Sequence, residues 1–400
     1  MEDFYEFKKN ILNKHLIKKC SVKNEIYRYL IIQELIKIFI TELKLIVDNK
    51  ILSSLLKYNK LQEMVQRWVW KQYPNPTLQD MVVPYVENNE YDFEDFIYDI
   101  NYIYYKKYTN NDYHSLIRSV KKFLKDNHDG INSNININVK KIVLNKYIQY
   151  VIECNKFDKE IIINVDNQLH ERLSNKTDKK KKDKYIFILM FRYYYMDSNN
   201  QQLAIHPKIK KLFKENKINF ELFGSGINTL SDHYCSLFYD IEKHFGSKGN
   251  FFDIKLYKGI YWCNPPYIET LMSDAADLLI YHMNKHNNIG YLITIPIWDK
   301  ETREKMNNKK ITINLNNNSD DSLFTDYQIY YKIKPYIKYE LVIPKNIIPY
   351  FNFRKNRTIY AANTYMLFVY KNLDMEYSDN IIDCLNKVVE CAGKGEYSFE

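Results

Sequence analysis

The stretch Ile260-Tyr-Trp-Cys-Asn-Pro-Pro-Tyr-Ile-Glu269 decides the fold. Its apolar first half predicts a buried strand, which has to end near Asn264 because the prolines that follow cannot donate to a sheet. Apolar residues at helical spacing predict the helix that comes next: Ile268, Leu271, Met272, Ala275, Leu278 and Leu279. A strand, a loop and a helix in this order are typical of an α/β sheet, in which ligands bind beyond the carboxyl ends of the strands.

A second strand and turn lie upstream, at Phe220-Glu-Leu-Phe-Gly-Ser-Gly-Ile-Asn228. Glycines at this point allow a nucleotide-like cofactor to approach the backbone. Further strands are expected at residues 259–263, 289–295, 337–343 and 365–370. Both the turn at Gly224 and the loop at Asn264 are therefore expected at one edge of a doubly wound sheet.

The first part of the chain differs in pattern, because helical spacing dominates up to about residue 128 and a turn signal follows at Asn127-His-Asp-Gly130. The sequence predicts a helical domain over residues 1–128 and an α/β domain over residues 129–400. Within the second domain we expect a helix over about 141–154, a short strand at 161–165 and an apolar helix over 185–195 that carries Arg192.

Composition limits the classes of partner. A formal net charge of +9 suits a polyanion, because cations that neutralise phosphates release counterions, although it equally fits a merely soluble basic protein. The six cysteines show no zinc-ligand spacing and no disulfide framework, which favours a reducing compartment, cytoplasmic or nuclear. The apolar region 26–47 is broken by charges and predicts an amphipathic helix, so no membrane association is expected.

The loop at Asn264 suggests a specific chemistry. An adenine N6 amine is a poor nucleophile, so a site must orient its lone pair towards a methyl donor. The side-chain carbonyl of Asn264 and the backbone carbonyl of Pro265 offer two acceptors for that amine, held by the rigid Pro265-Pro266 pair. Tyr267 offers an aromatic face to the base. The alternative is an ordinary strand-to-helix turn.

Other candidate residues have equally plain alternatives. Asp240 and Asp253 could contact a ribose or an amine, or could cap helices. Trp298 could stack on a base or pack in the core. The segment Phe351-Asn-Phe-Arg354, with Arg357, suits single-stranded RNA or a solvated loop. The turn Phe245-Gly-Ser-Lys-Gly249 lacks the Walker A pattern, which argues against nucleotide hydrolysis.

Residues 220–272 together resemble the cap-specific adenosine N6-methyltransferases, the phosphorylated CTD-interacting factor or CAPAM family. The resemblance includes Phe223, the run 245–249 and Asn264-Pro-Pro, and it continues at Trp298 and over residues 363–368. It implies a Rossmann-like class I methyltransferase core preceded by an α-helical domain. It also implies S-adenosyl-L-methionine as the donor and, as substrate, an mRNA whose cap-adjacent nucleotide is adenosine, usually 2′-O-methylated.

The resemblance also implies roles for individual residues. The catalytic loop would comprise Asn264, Pro265, Pro266 and Tyr267. The donor would contact Gln202, Phe223, Gly224, Ser225, Asn228 and Asp240, together with Asn264 and Tyr267. The capped RNA would contact Arg67, Glu269, Trp298, Phe353 and Arg354.

The chain also departs from the family pattern. Tyr267 stands where the family has phenylalanine, and Glu94 falls near a cap-facing arginine. No pair of spaced tryptophans with a proline marks a WW module, so binding to the polymerase tail is not implied. The composition suggests a viral or protist member. We therefore expect a methyltransferase acting on capped mRNA or other single-stranded RNA. The alternatives are an adenine N6-methyltransferase for internal RNA or DNA and a noncatalytic capped-RNA-binding subunit.

Overall fold

The computed structural model of the chain describes residues 6–9, 20–57, 60–72, 80, 82–84, 91–104, 108–109, 111–127, 135–196, 203–298, 312–314, 328–348, 350–353, 357–359 and 363–394. The first half contains β1 (Glu6–Lys9), α1 (Val22–Ile46), α2 (Asn49–Lys57), α3 (Lys60–Lys71), α4 (Glu94–Tyr104), α5 (His114–Asn127), β2 (Ile137–Val143), β3 (Tyr147–Cys154), β4 (Ile161–Asp166), α6 (Asn167–Lys176) and α7 (Lys182–Met196). The second half contains β5 (Leu203–Ile205), α8 (Pro207–Glu215), β6 (Phe220–Glu221), β7 (His233–Tyr234), α9 (Tyr239–Glu242), β8 (Ile254–Cys263), α10 (Glu269–Lys285), β9 (Ile289–Pro296), β10 (Thr312–Asn314), α11 (Gln328–Ile333), β11 (Ile337–Ile343), β12 (Tyr350–Asn352), β13 (Arg357–Ile359), β14 (Thr364–Tyr370) and α12 (Met375–Gly393).

The chain divides into two compact units, and the division differs from the predicted one. Unit 1 comprises residues 1–11 and 202–400, and unit 2 comprises residues 12–201. The predicted boundary after residue 128 therefore lies inside unit 2. The reason is that the three-stranded sheet β2–β3–β4 and the helices α6 and α7 share a core with the first helices rather than with the large sheet.

Unit 2 is held together by a buried ion network between α1 and α7. Glu25 and Arg192 are both fully buried, and the guanidinium donates to the carboxylate over 2.8 and 2.7 Å. Arg28 bridges Glu25 to Asp80 at 3.0 Å on each side. Burial alone would raise the pKa of Glu25, but the charges and hydrogen bonds of Arg192 and Arg28 outweigh it and lower that pKa. Removing one member would leave a buried charge unpaired, which typically costs about 3–5 kcal/mol.

The helix predicted over residues 141–154 is wrong, because this segment forms the hairpin of β2 and β3. The two strands pair antiparallel, with Val139 opposite Ile152 and Val143 opposite Ile148. β-branched residues are stiff at χ1 and pack well on a pleated surface, and the sequence around these positions is rich in them. The predicted strand at 161–165 and the helix that carries Arg192 are confirmed as β4 and α7.

Unit 1 is built on a mixed sheet in the order β10-β11-β14-β9-β8-β6-β7, with β1 paired to β8. The strands β7, β6, β8 and β9 run parallel. The pairs β9–β14, β14–β11 and β11–β10 are antiparallel. The chain passes from β6 to β7 on one side and then returns to β8 on the other, so β6 and β8 flank a topological switch point.

Helices cover both faces of this sheet, because its central strands are apolar on both sides. Tyr261 and Cys263 of β8 pack into one core with α10 and α11. Ile260 and Trp262, which alternate with them, pack into a second core with α8 and α12. The mixed α/β architecture expected from the sequence is therefore present. A smaller sheet of β13, β12 and β5 lies in the same unit. Among the described helices of the chain, none is both long and apolar enough to cross a membrane.

Candidate functional site

The loop between β8 and α10 contains the sequence that predicted the site. The strand ends at Cys263 and the helix begins at Glu269. The Ile268 amide donates to the carbonyl of Pro266 at 2.7 Å, and Met272 donates to the carbonyl of Ile268 at 2.9 Å. These bonds close the loop onto the first turn of α10, and Pro265 is buried beneath it. The loop is therefore a fixed turn whose polar groups are set by the backbone.

Asn264 presents the most unusual polar atom of this loop. Its side-chain oxygen Oδ1 is buried and has no hydrogen-bond partner within the described part of the chain. Buried side-chain acceptors are almost always paired, and leaving one unpaired costs about 1–3 kcal/mol. An unpaired acceptor at the carboxyl end of a central strand is what a site for a donor group on a ligand would require.

Two aromatic side chains meet at this loop. The ring of Tyr267 lies 6.4 Å from the ring of Trp298, centroid to centroid, at an interplanar angle of 80°. Trp298 follows β9 and is 36% exposed, so its ring is accessible to a ligand. Glu269, the first residue of α10, is half-buried on the same loop. The structure thus brings together the predicted catalytic loop and the predicted substrate residues Glu269 and Trp298.

The hydroxyl group of Tyr267 belongs to a chain of hydroxyls. It lies 2.9 Å from the hydroxyl of Tyr350, which lies 2.7 Å from the hydroxyl of Thr364. Tyr350 is part of β12, and Thr364 is the first residue of β14. Burial raises the pKa of Tyr350, so its phenol stays neutral and can donate one hydrogen bond while accepting another. The ring of Tyr267 is therefore tethered to two strands.

The turn after β6 lies beside this loop in the sheet. The Leu222 amide donates to the carbonyl of Trp262 at 2.7 Å, which joins the ends of β6 and β8. A Cβ atom at Gly224 would come within 3.2 Å of the Glu221 side chain and 3.3 Å of Tyr234. A side chain at this position would therefore be crowded, and Glu221 or Tyr234 would have to shift by a few tenths of an ångström to admit it.

The rest of the turn is fixed by its own hydrogen bonds. The Ser225 amide donates to Oδ1 of Asn228 at 2.9 Å, and the Asn228 amide donates back to the Ser225 carbonyl at 3.2 Å. The Gly226 amide donates to the buried carboxylate of Glu242 at 2.6 Å. Ser225 and Asn228 thus shape the turn. Of the other predicted donor contacts, Phe223 directly precedes the turn and packs against Phe251 at 4.9 Å between ring centroids. Asp240 is buried in α9, two residues before Glu242.

A buried lysine supports the turn from below, and no sequence pattern predicted it. Nζ of Lys210 donates to the Asn228 carbonyl at 2.7 Å and lies 3.5 Å from the Glu221 carboxylate. It also lies 4.6 Å from the Trp262 ring and 5.3 Å from the Phe353 ring. The structure therefore places Phe353, which is 8% exposed, against Lys210. The available signal was an acidic residue inside an apolar strand, Phe220-Glu-Leu, which needs a buried cation.

Arg67, the predicted cap contact, lies in unit 2 on α3 and is engaged in an ion pair. Its guanidinium is 2.8 Å from the carboxylate of Asp99. Burial raises the pKa of Asp99 to about 6, and Arg67 opposes that rise. Glu94 is exposed in the first turn of α4, where a negative charge is favourable to the helix dipole. The remaining predicted contacts, Gln202 and Arg354, lie outside the described residues.

Among the residues that the structure describes, no three His, Cys, Asp or Glu side chains gather as metal ligands would. The arrangement at the switch point is instead an acceptor, two aromatic rings and a glycine turn. Such a set can orient a planar base and a nucleotide-like ligand.

Comparison with known proteins relates this region to one family. Residues 167–319 match a family model described as "Phosphorylated CTD interacting factor 1 WW domain". An 86-residue segment is 33% identical to the mRNA (2'-O-methyladenosine-N(6)-)-methyltransferase of Mus musculus and 31% identical to the human protein of the same name. That segment covers 20% of this chain and spans only 12% of each relative.

The matched region contains both parts of the candidate site. Its described part includes α6 to α10 and the parallel strands β6 to β9. The family description names a WW domain, and the matched region has two tryptophans: Trp262 is buried in the core of the sheet and Trp298 is 36% exposed. The resemblance predicted from the sequence is thus confirmed: over residues 167–319 the chain matches the phosphorylated CTD-interacting factor family.

Proposed function

We propose that this chain is an S-adenosylmethionine-dependent adenosine N6-methyltransferase that acts on the nucleotide next to an mRNA cap. The observation that carries the proposal is the unpaired, buried Oδ1 of Asn264 at the end of β8. A ligand that donates a hydrogen bond to this atom recovers the energy lost on its burial. The N6 amine of adenine is such a donor, and Tyr267 and Trp298 offer aromatic surface to the base at the same loop.

The loop favours transfer to an amine because it offers two carbonyl acceptors in fixed positions. With one N–H bound by Asn264 and the other by the Pro265 carbonyl, the nitrogen lone pair points out of the base plane towards a methyl donor. Tyr267 and Trp298 would hold the base. Positioning of this kind can supply much of the rate enhancement without a strong general base.

The donor site would lie at the turn after β6. When bound, S-adenosylmethionine supplies an electrophilic methyl group on a sulfonium sulfur. Phe223, Gly224 and Asp240 would hold its nucleoside part, and Asn264 with Tyr267 would face its methyl end. The fit is supported by the crowding that a Cβ atom would meet at Gly224 and by the burial of Asp240, two residues before the carboxylate that binds the Gly226 amide.

The sheet supports a Rossmann-like methyltransferase core. Four parallel strands with a reversal between β6 and β8 place the two loops at a switch point, where doubly wound sheets bind nucleotides. The names of the mouse and human relatives add support, since both are described as mRNA methyltransferases that act on N6 of 2'-O-methyladenosine.

Substitution of Asn264 tests the proposal. We expect Asn264→Ala to lower kcat by about 100-fold or more, by analogy with the loss of one positioned hydrogen-bonding group at a reacting centre. The melting temperature should not fall, because the atom removed is an unsatisfied acceptor. Asn284→Ala, an exposed position on α10, is the matched control. Methyl transfer at the wild-type rate by Asn264→Ala would overturn the proposal.

A panel of acceptors tests the substrate class. Labelled donor is supplied with short RNAs that start with A or G, each with and without the 7-methylguanosine cap, and with single-stranded DNA. Transfer only to capped RNA that starts with A is expected. Equal rates on capped and uncapped RNA would indicate an internal adenine N6-methyltransferase. RNA binding without transfer to any acceptor would indicate a capped-RNA-binding subunit.

The internal-adenine alternative is favoured by one observation, the ion pair between Arg67 and Asp99, since it engages the predicted cap contact. If Arg67 binds the cap, Arg67→Ala should weaken the binding of capped RNA more than the binding of uncapped RNA in a titration. Asp99→Asn is the matched variant, because it removes the partner and leaves the guanidinium. An equal loss for both RNAs would assign Arg67 to the structure of unit 2.

A further inference from the structure

Helix α5 of unit 2 carries a row of basic side chains along one face. This basic stripe consists of His114, Arg118, Lys121, Lys122 and Lys125, which with Ile117 line a surface cavity of about 400 Å³. Their spacing of three and four residues puts them on one side of the helix. The opposite side, formed by Leu116, Val120 and Leu124, is buried. None of these cations was predicted as a site from the sequence.

The stability of α5 does not account for the stripe. Cations stabilise a helix near its C-terminus and destabilise it near its N-terminus. Lys125 stands in the last turn, where the dipole favours a cation, but Arg118, Lys121 and Lys122 lie outside that turn. Nη2 of Arg118 lies within hydrogen-bond distance of Nδ1 of His114, at 3.3 Å. The helix dipole therefore accounts for Lys125 and not for the other three cations.

Repulsion between the cations of the stripe opposes the helix. Arg118 lies three and four positions from Lys121 and Lys122, and both lysines stand at the same spacings from Lys125. Like charges at these spacings destabilise a helix by about 0.2–0.5 kcal/mol per pair. Within the described part of the chain, Arg118, Lys121 and Lys122 form no ion pair with an acidic residue. The carboxylate of Glu42 on α1 reaches α5, but it is bound by the hydroxyls of Ser115 and Ser119 on the flank.

We propose that the basic stripe binds the phosphodiester backbone of the RNA substrate. Helix geometry gives the stripe a length of about 16 Å, enough for several phosphates. A membrane surface is a poorer partner, because the cavity has a single aliphatic residue, Ile117, where interfacial helices need a broad apolar face. The identity of the polyanion as RNA rests on the proposed function, whereas the position of the stripe does not.

The test is the salt dependence of RNA binding by the full chain. An uncapped, fluorescently labelled 12-nucleotide RNA is titrated at several salt concentrations, and anisotropy gives the dissociation constant. Lys121→Gln/Lys122→Gln should weaken binding several-fold and reduce the slope of log K against log salt by about 0.7 for each phosphate that is no longer neutralised, or about 1.4 in total. Lys179→Gln/Lys180→Gln, an equal change of charge on an exposed turn of the same unit, should leave both unchanged.

Several outcomes would overturn the proposal. One is that both double variants have equal dissociation constants and equal salt slopes. Another is that the Lys179/Lys180 control loses as much RNA affinity as Lys121→Gln/Lys122→Gln. Binding of the stripe to vesicles with anionic lipids, or to duplex DNA, in preference to the RNA would also overturn it. The melting temperature of Lys121→Gln/Lys122→Gln should be equal or slightly higher, since repulsion is relieved. RNA binding needs no methyl transfer, so the stripe can be confirmed even if the proposed activity fails.

Discussion

At the scale of single residues, the tether of Tyr267 distinguishes this chain from a loop that carries phenylalanine. The ring is aligned by packing in both cases, but only tyrosine can reach Tyr350 and through it Thr364. A neutral hydrogen bond in a partly buried site contributes about 1 kcal/mol. If that energy is used to hold the ring beside Asn264, its loss should appear in the rate of transfer more than in the fold.

Tyr267→Phe and Tyr350→Phe are therefore expected to lower kcat by about fivefold each, which corresponds to about 1 kcal/mol. The double variant should lose little more, because the two hydroxyls act as one bond. Steady-state kinetics with separate kcat and KM values, plus donor titration, provide the readout. Tyr370→Phe removes a comparable hydroxyl bond to Ser378 and serves as the control. Additive losses in the double variant would show that the two hydroxyls do not act together.

At the scale of elements, the sequence predicted those whose pattern is local. The strand β8, the helix α10 and the loop between them follow from apolar runs and two prolines, and the structure confirms these elements. The prediction over 141–154 was wrong, because apolar residues such as Ile148, Val151 and Ile152 also fit helical spacing. Only pairing with a neighbouring strand distinguishes a strand from a helix in this segment. The sequence signal for a hairpin is the short turn at Asn145–Lys146.

The parts of the site that sequence could not predict depend on contacts between distant elements. Lys210 reaches the carbonyl of Asn228 from another helix, and Tyr350 meets Tyr267 across 83 positions of sequence. No motif marks Lys210 or Tyr350. A single lysine in a basic helix and a single tyrosine in a tyrosine-rich chain carry no sequence signal of a specific contact. The Asn264 loop was predictable for the opposite reason, since its chemistry lies in four consecutive residues.

At the scale of the whole molecule, acid should lower the stability of the fold by protonating histidines that are buried in the neutral form. In unit 1, burial lowers the pKa of His206 to about 4, with a smaller contribution from Lys208. Its Nδ1 accepts the Lys208 amide at 3.2 Å and so caps α8. Burial also lowers the pKa of His282 to about 4. Each folded pKa lies below the unfolded value, so the stability is present above about pH 6.5 and is lost as pH falls towards 4.

This prediction can be tested at the cap of α8. His206→Asn keeps an acceptor that suits an N-cap but does not titrate. Linkage predicts that the free energy of unfolding of the wild type falls by about 2 kcal/mol on account of His206 between pH 7.5 and pH 5. Over the same pH range the free energy of unfolding of His206→Asn should fall by about 2 kcal/mol less than that of the wild type, while the decrease due to His282 remains. Denaturant midpoints at both pH values give the measurement, and His114→Asn on the exposed face of α5 is the control.

Because α8 also carries Lys210, the wild type should lose methyl transfer over the same pH range before it unfolds. An acid profile of His206→Asn identical to that of the wild type would rule out His206 as the titrating group.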